Sequence, residues 1–115
     1  MKTIDFVKEI RKSVIEENLN TYKYLFENTD LNSVTDGYWK DALCFFNKLD
    51  LNSKEVFYKI LRQIEIDTTS NIFGVLDGVS WLEGQQEEFE LVQRNSSEVI
   101  NGELQDRFLE LEEEG

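Results

Sequence analysis

Apolar residues recur at intervals of three and four from near the start of the chain: Ile4, Val7, Ile10, Val14, Ile15, Leu19, Tyr22, Leu25 and Phe26. That spacing predicts one amphipathic helix over about Thr3 to Asn28, with Thr3 as its N-cap. Two residues disturb it. At ~100° per residue, Arg11 and Asn18 fall inside the apolar arc, seven residues apart. A lone buried charge is too costly to keep, so the pattern implies a kink, an exposed end or a paired Arg11.

"NTDLNSVTDG" is dense in loop-forming residues. Asp36 then reads as the cap of a second helix, about Gly37 to Leu49. Its inner face carries Tyr38, Ala42, Phe45, Phe46 and Leu49, with Trp39 and Leu43 at the edge. After "DLNS", Ser53 with Glu55 marks the start of a third helix, Lys54 to about Gly78. Phe57, Leu61, Ile64, Thr68, Ile72, Val75 and Val79 form its continuous apolar stripe, although the β-branched content of "IEIDTTSNI" pulls toward strand. Beyond Trp81 the texture changes. "EEFELVQ" and "SEVI" around the polar "RNSS" read as a β-hairpin. "NGELQDRFLELEEEG" closes as a helix capped by Asn101, with Leu104, Phe108 and Leu111 inward. The fold class expected is mainly α (α+β): about four helices around one core in a single domain, residues 1–115. Residues 1–80 form its helical part, and a small β-hairpin precedes the C-terminal helix within 83–115.

One stretch of the third helix is chemically distinct. With Asp67 at 0° on a helix wheel, Ser70, Asn71, Gly74, Asp77 and Gly78 fall between about −80° and +40°. The apolar stripe lies beside them, and Ile66 and Phe73 form the far flank. Two readings compete. Glycines four apart let a neighbouring element approach the backbone closely, with Asp67 or Asp77 receiving Arg11 as an internal ion pair. Alternatively, Ile66, Asp67, Ser70, Asn71, Phe73, Asp77 and Trp81 line a groove for a partner, since apolar anchors beside carboxylates suit an Arg-bearing segment.

Composition narrows the chemistry. The 115 residues contain no histidine and one cysteine, Cys44, which excludes an intrachain disulfide, Ser-His-Asp and Cys-His catalysis and the HExxH zinc site. Cys44 sits in an aromatic helical pattern that suggests a buried, inert thiol. No glycine-rich phosphate loop or EF-hand loop occurs, so no cofactor or metal is expected. The N-terminal stretch is charged every few residues and unlike a signal peptide, and no apolar run reaches the ~18 residues of a bilayer span. A cytoplasmic location follows as the expectation. Abundant Asn, Ile, Lys and Glu point toward an AT-rich bacterial genome.

The net charge is −12 and unevenly placed: residues 1–82 hold 13 acids and 10 bases, residues 83–115 hold 11 acids and 2 bases. Such a field repels nucleic acid and anionic membrane and favours a basic protein partner. The function expected is therefore a small acidic protein-binding module, of the inhibitor or immunity type in charge and size, and not an enzyme. The alternatives are a homodimer packed through Ile66, Phe73 and Trp81, and a carboxylate- or metal-dependent enzyme built on Asp67 and Asp77.

Overall fold

The computed structural model describes residues 1–115. The first rod has three parts: α1 (Thr3–Ile10), a π-helical segment (Arg11–Glu17) and α2 (Asn18–Asn28). A 3₁₀ turn (Leu31–Ser33) leads to α3 (Gly37–Asn47), then α4 (Leu51–Leu76). Residues 77–103 cross back without helix or strand, and α5 (Leu104–Glu114) ends the chain.

The π-helical segment explains the disturbed pattern in the first rod. Its i→i+5 bonding advances roughly 80° per residue instead of ~100°. Val7 and Ile15, about 80° apart on an unbroken α-helix, are thereby brought to one side, and both are fully buried. Val14, expected inward, turns out to solvent. Thr3 does not cap α1. Its hydroxyl donates to the Ile100 carbonyl at 2.7 Å, tying the rod to the chain that enters α5.

Aspartates set the next two helix starts. An Asp36 oxygen accepts from the Tyr38 N–H at 2.8 Å, and an Asp50 oxygen accepts from the Ser53 N–H at 2.7 Å. Each satisfies a donor that the first turn leaves free. Because Asp50 is the cap, α4 begins at Leu51 and not at Lys54. The far end of α4 closes at Gly78, whose φ of 78° only glycine adopts without strain. The Val79 N–H reaches back to the Gly74 carbonyl at 2.9 Å and the Gly78 N–H to Val75 at 3.2 Å, the Schellman pattern of a left-handed C-terminal turn.

The expected β-hairpin does not form. The chain reverses at Gln93–Ser96, but of the Glu87–Gln93 and Ser97–Ile100 segments only one backbone bond spans the pair, Ile100 N–H to Leu91 carbonyl at 2.8 Å. An isolated two-stranded ribbon is marginal in water, and Asn101 intercepts its polar groups. The Asn101 side chain accepts from the Leu91 N–H at 2.7 Å and donates to the carbonyls of Phe89 and Leu76. The fold is all-helical.

Apolar burial divides into two clusters along α4 instead of one core. Val7, Ile15, Ile66, Phe73, Ile100, Leu104 and Phe108 form the first, where α1, α4 and α5 meet. Phe26, Leu43 and Phe46 form the second, flanked by Tyr22, Trp39, Phe57 and Leu61. On α3 the buried face is centred on Leu43 and Phe46, whereas Tyr38, Phe45 and Cys44, all expected inside, are exposed. The molecule is consequently long, 51 × 34 × 26 Å, with a radius of gyration of 17.9 Å against about 13 Å for a compact chain of this length. Its accessible surface, 8278 Å², exceeds by about 1,700 Å² that of a typical monomer of 13.6 kDa.

Candidate binding surface

The small-and-polar strip of α4 is largely an internal seam. Ile66 and Phe73, expected as an uncovered flank, are buried, because α5 and α1 pack on that side. Ser70 and Gly74 are buried with them. Gln105 of α5 lies across the seam: its amide donates to the Ser70 carbonyl at 3.0 Å and hydroxyl at 3.2 Å. A Cβ on Gly74 would sit 2.9 Å from that same nitrogen. The glycine thus permits the approach, and the amide satisfies the polar atoms brought inside. The stripe Ile64–Thr68–Ile72–Val79, expected to be core, is exposed. Sequence identified two apolar faces on this half of α4 and inverted which one is covered.

Asp77 ends α4 and begins α5. One carboxylate oxygen accepts from the Gly102 N–H at 2.6 Å, the other from the Gln105 N–H at 2.8 Å. Asn101 was expected to cap α5. Instead Glu103 occupies the cap position with no side-chain bond, and Asp77 supplies the acceptor from another helix. Asp77→Ala leaves those donors unmatched and is expected to cost about 1–2 kcal/mol, as other cap deletions do. Urea denaturation measures it; a change below ~0.5 kcal/mol would mean that water serves α5 equally well.

Arg11 does not reach Asp67 or Asp77. Its Nε donates to Glu112 of α5 at 2.7 Å. The other Glu112 oxygen takes Arg62 at 3.0 Å, and Arg62 also holds Glu16 at 2.7 Å. This four-residue network joins the π-helical segment, α4 and α5, and accounts for a charge inside an apolar arc. Burial alone would raise the Glu112 carboxyl, but the two guanidiniums together outweigh it and hold the group below its ordinary value. Asp67 lies outside the network, exposed, accepting from Gln63 at 2.9 Å. Asn71 is exposed as well. The chain brings no three acid or cysteine side chains together as metal ligands, and no helix is long and apolar enough to cross a membrane.

Two of the open surfaces stand out. The first is the strap, residues 77–103. Trp81, the last residue of the sequence-derived set, is exposed there with Leu82, Phe89 and Val92. Glu83, Glu87, Glu88 and Glu90 stand among these apolar side chains, and no Lys or Arg occurs between Arg62 and Arg94. A run this long without helix or strand is uncommon in a compact fold and is often functional. Composition signalled this strap, but the expectation of strands hid it.

The second surface is a groove between α2, α3 and α4, about 350 Å³ in volume, walled by Tyr22, Tyr38, Phe45, Phe57 and Leu61. It continues toward Asn18, Ile64 and Glu65. Sequence missed it by placing Tyr38 and Phe45 inside. The signal was available: in "DGYWKDALCFFN" the apolar residues Phe45, Tyr38, Ala42, Phe46, Trp39 and Leu43 span an arc of about 160° at ~100° per residue, wider than the ~100° stripe of an ordinary surface helix. Comparison of the chain with protein-family models, with curated proteins and with solved structures finds no match.

Proposed function

We propose that the chain is a cytoplasmic protein-binding module that docks on, and inhibits, a basic protein partner. The observation that carries this reading is the strap. Exposed Trp81, Leu82, Phe89 and Val92 alternate with acids, and no Lys or Arg lies among them, the first after Arg62 being Arg94. Aromatic and aliphatic anchors supply buried area at an interface, while a field of one sign accelerates encounter with a partner of the other. The surplus accessible surface supports the same reading, since it exceeds the roughly 800 Å² that each partner contributes to a standard protein–protein complex. The charge and size match the inhibitor and immunity type of protein in physical character.

The test is affinity capture with native mass spectrometry at low and high salt. The expected result is a complex with a basic protein that dissociates at high salt, where screening shortens the reach of charge to a few ångströms. Trp81→Ala combined with Glu87→Gln, Glu88→Gln and Glu90→Gln is expected to abolish it. An acidic partner, or one indifferent to these four changes, would remove the basis of the proposal.

A further inference from the structure

The groove between α2, α3 and α4 lies on a different face and carries its own chemistry. Its walls are apolar apart from Asp41, and Glu65 stands where the groove continues past Ile64. Both charged residues are acids. Glu65 Oε1 accepts from the Asn18 amide at 3.0 Å, whereas Oε2 is buried with no hydrogen-bond partner. Native structures rarely leave a buried carboxylate oxygen unmatched. Arg62, one turn away on α4, spends its hydrogen bonds on Glu16 and Glu112.

We infer that this groove is a docking site for a cationic amphipathic segment of another protein. An aliphatic or aromatic side chain of that segment fills the space between Tyr38, Phe45 and Leu61, and a Lys or Arg beside it donates to Glu65. Asn18 makes the one hydrogen bond to the carboxylate, so rotation of the Glu65 side chain presents Oε2 to the incoming donor. Two acids and no bases at the lining favour a cation-bearing occupant over a second copy of this chain, whose net charge of −12 repels its like. Phe45, with 56% of its surface exposed, and Ile64 with 57% extend the apolar contact along the rim. The inference stands apart from the strap, which contributes no residue to this groove.

The probe is a 16-residue synthetic helical peptide with leucine on one face and arginine on the other, compared with a counterpart carrying citrulline for arginine. Trp81→Phe leaves Trp39 as the sole indole of a protein with two tryptophans. Trp39 stacks on Tyr22, a groove wall, at 6.2 Å between ring centres, so its fluorescence reports occupancy. The arginine peptide is expected to bind at least tenfold more tightly than the citrulline peptide. Phe45→Ala should weaken the arginine peptide about tenfold, and Glu65→Gln about fivefold, closing most of the gap between the two peptides. Unchanged circular dichroism confirms that both variants fold. Glu87→Gln with Glu88→Gln and Glu90→Gln in the strap should leave the titration unaltered. Equal binding of the two peptides would overturn the inference, as would loss through the strap changes alone. A concentration-dependent dimer in sedimentation that Phe45→Ala dissolves would assign the groove to a second copy instead.

Discussion

Phe108→Ala is expected to lower the free energy of unfolding by about 3–5 kcal/mol, the range for deleting an aromatic ring from a packed core. Phe108 is fully buried, and its ring meets Phe73 edge-on at 5.6 Å between centres. It is also the middle of the face by which α5, an eleven-residue helix, reaches α4 and α1. A helix this short is not stable alone in water. Loss of the ring therefore weakens the Asp77 cap, the Gln105 bonds to Ser70 and the ion pairs at Glu112 together. Against a total stability of order 5–15 kcal/mol this is a large share. Equilibrium denaturation in urea measures it. A loss under about 1 kcal/mol would show that α5 is not docked as described.

Glu112→Gln is expected to cost about 2 kcal/mol at pH 7. Removing one partner of a buried pair costs about 3–5 kcal/mol, and the side chains here are 14–30% exposed, so solvent screening reduces the figure. The variant leaves Arg11 and Arg62 facing one another with Glu16 as the remaining acid in the network. The pH dependence has a fixed sign. A carboxylate held below its ordinary value of 4.5 contributes stability that is complete above that value and disappears as pH falls through the folded-state value. The difference between Glu112→Gln and the parent should thus be largest near neutrality and vanish in acid. Glu65 works in the opposite direction: burial raises its carboxyl, ahead of the opposing Asn18 bond and Arg62 charge, so protonation relieves a penalty as pH falls. Comparing parent with variant at each pH isolates the Glu112 contribution. A difference that persists unchanged at pH 2 would exclude the ion-pair account.

Local patterning was readable where neighbours in sequence decide the outcome. The helical spacing of the first rod, the Asp36 cap and a long helix through residues 64–73 all depend on interactions within a few residues, and each is present. The anomaly at Arg11 was legible as well, because an ionised group in an apolar arc demands a partner. Its partner was not, since Glu112 lies 101 residues away. The seven sequence-derived surface residues divide for the same reason. Ile66, Ser70 and Phe73 are covered by α5, Asp77 is committed to its backbone, and Asp67, Asn71 and Trp81 face solvent.

Sequence by itself determined the helices, the Asp36 start of α3, the excess of acid after Leu82 and the exclusion of histidine chemistry, since these follow from residue identity and short-range geometry. Only the tertiary structure decided which of two apolar faces of α4 is core, that Asn101 pins a strap instead of a hairpin, and that α3 leaves an open groove. A helix wheel gives the angle between faces but not their covering. That depends on how α5 closes over α4, through contacts formed between residues far apart along the chain.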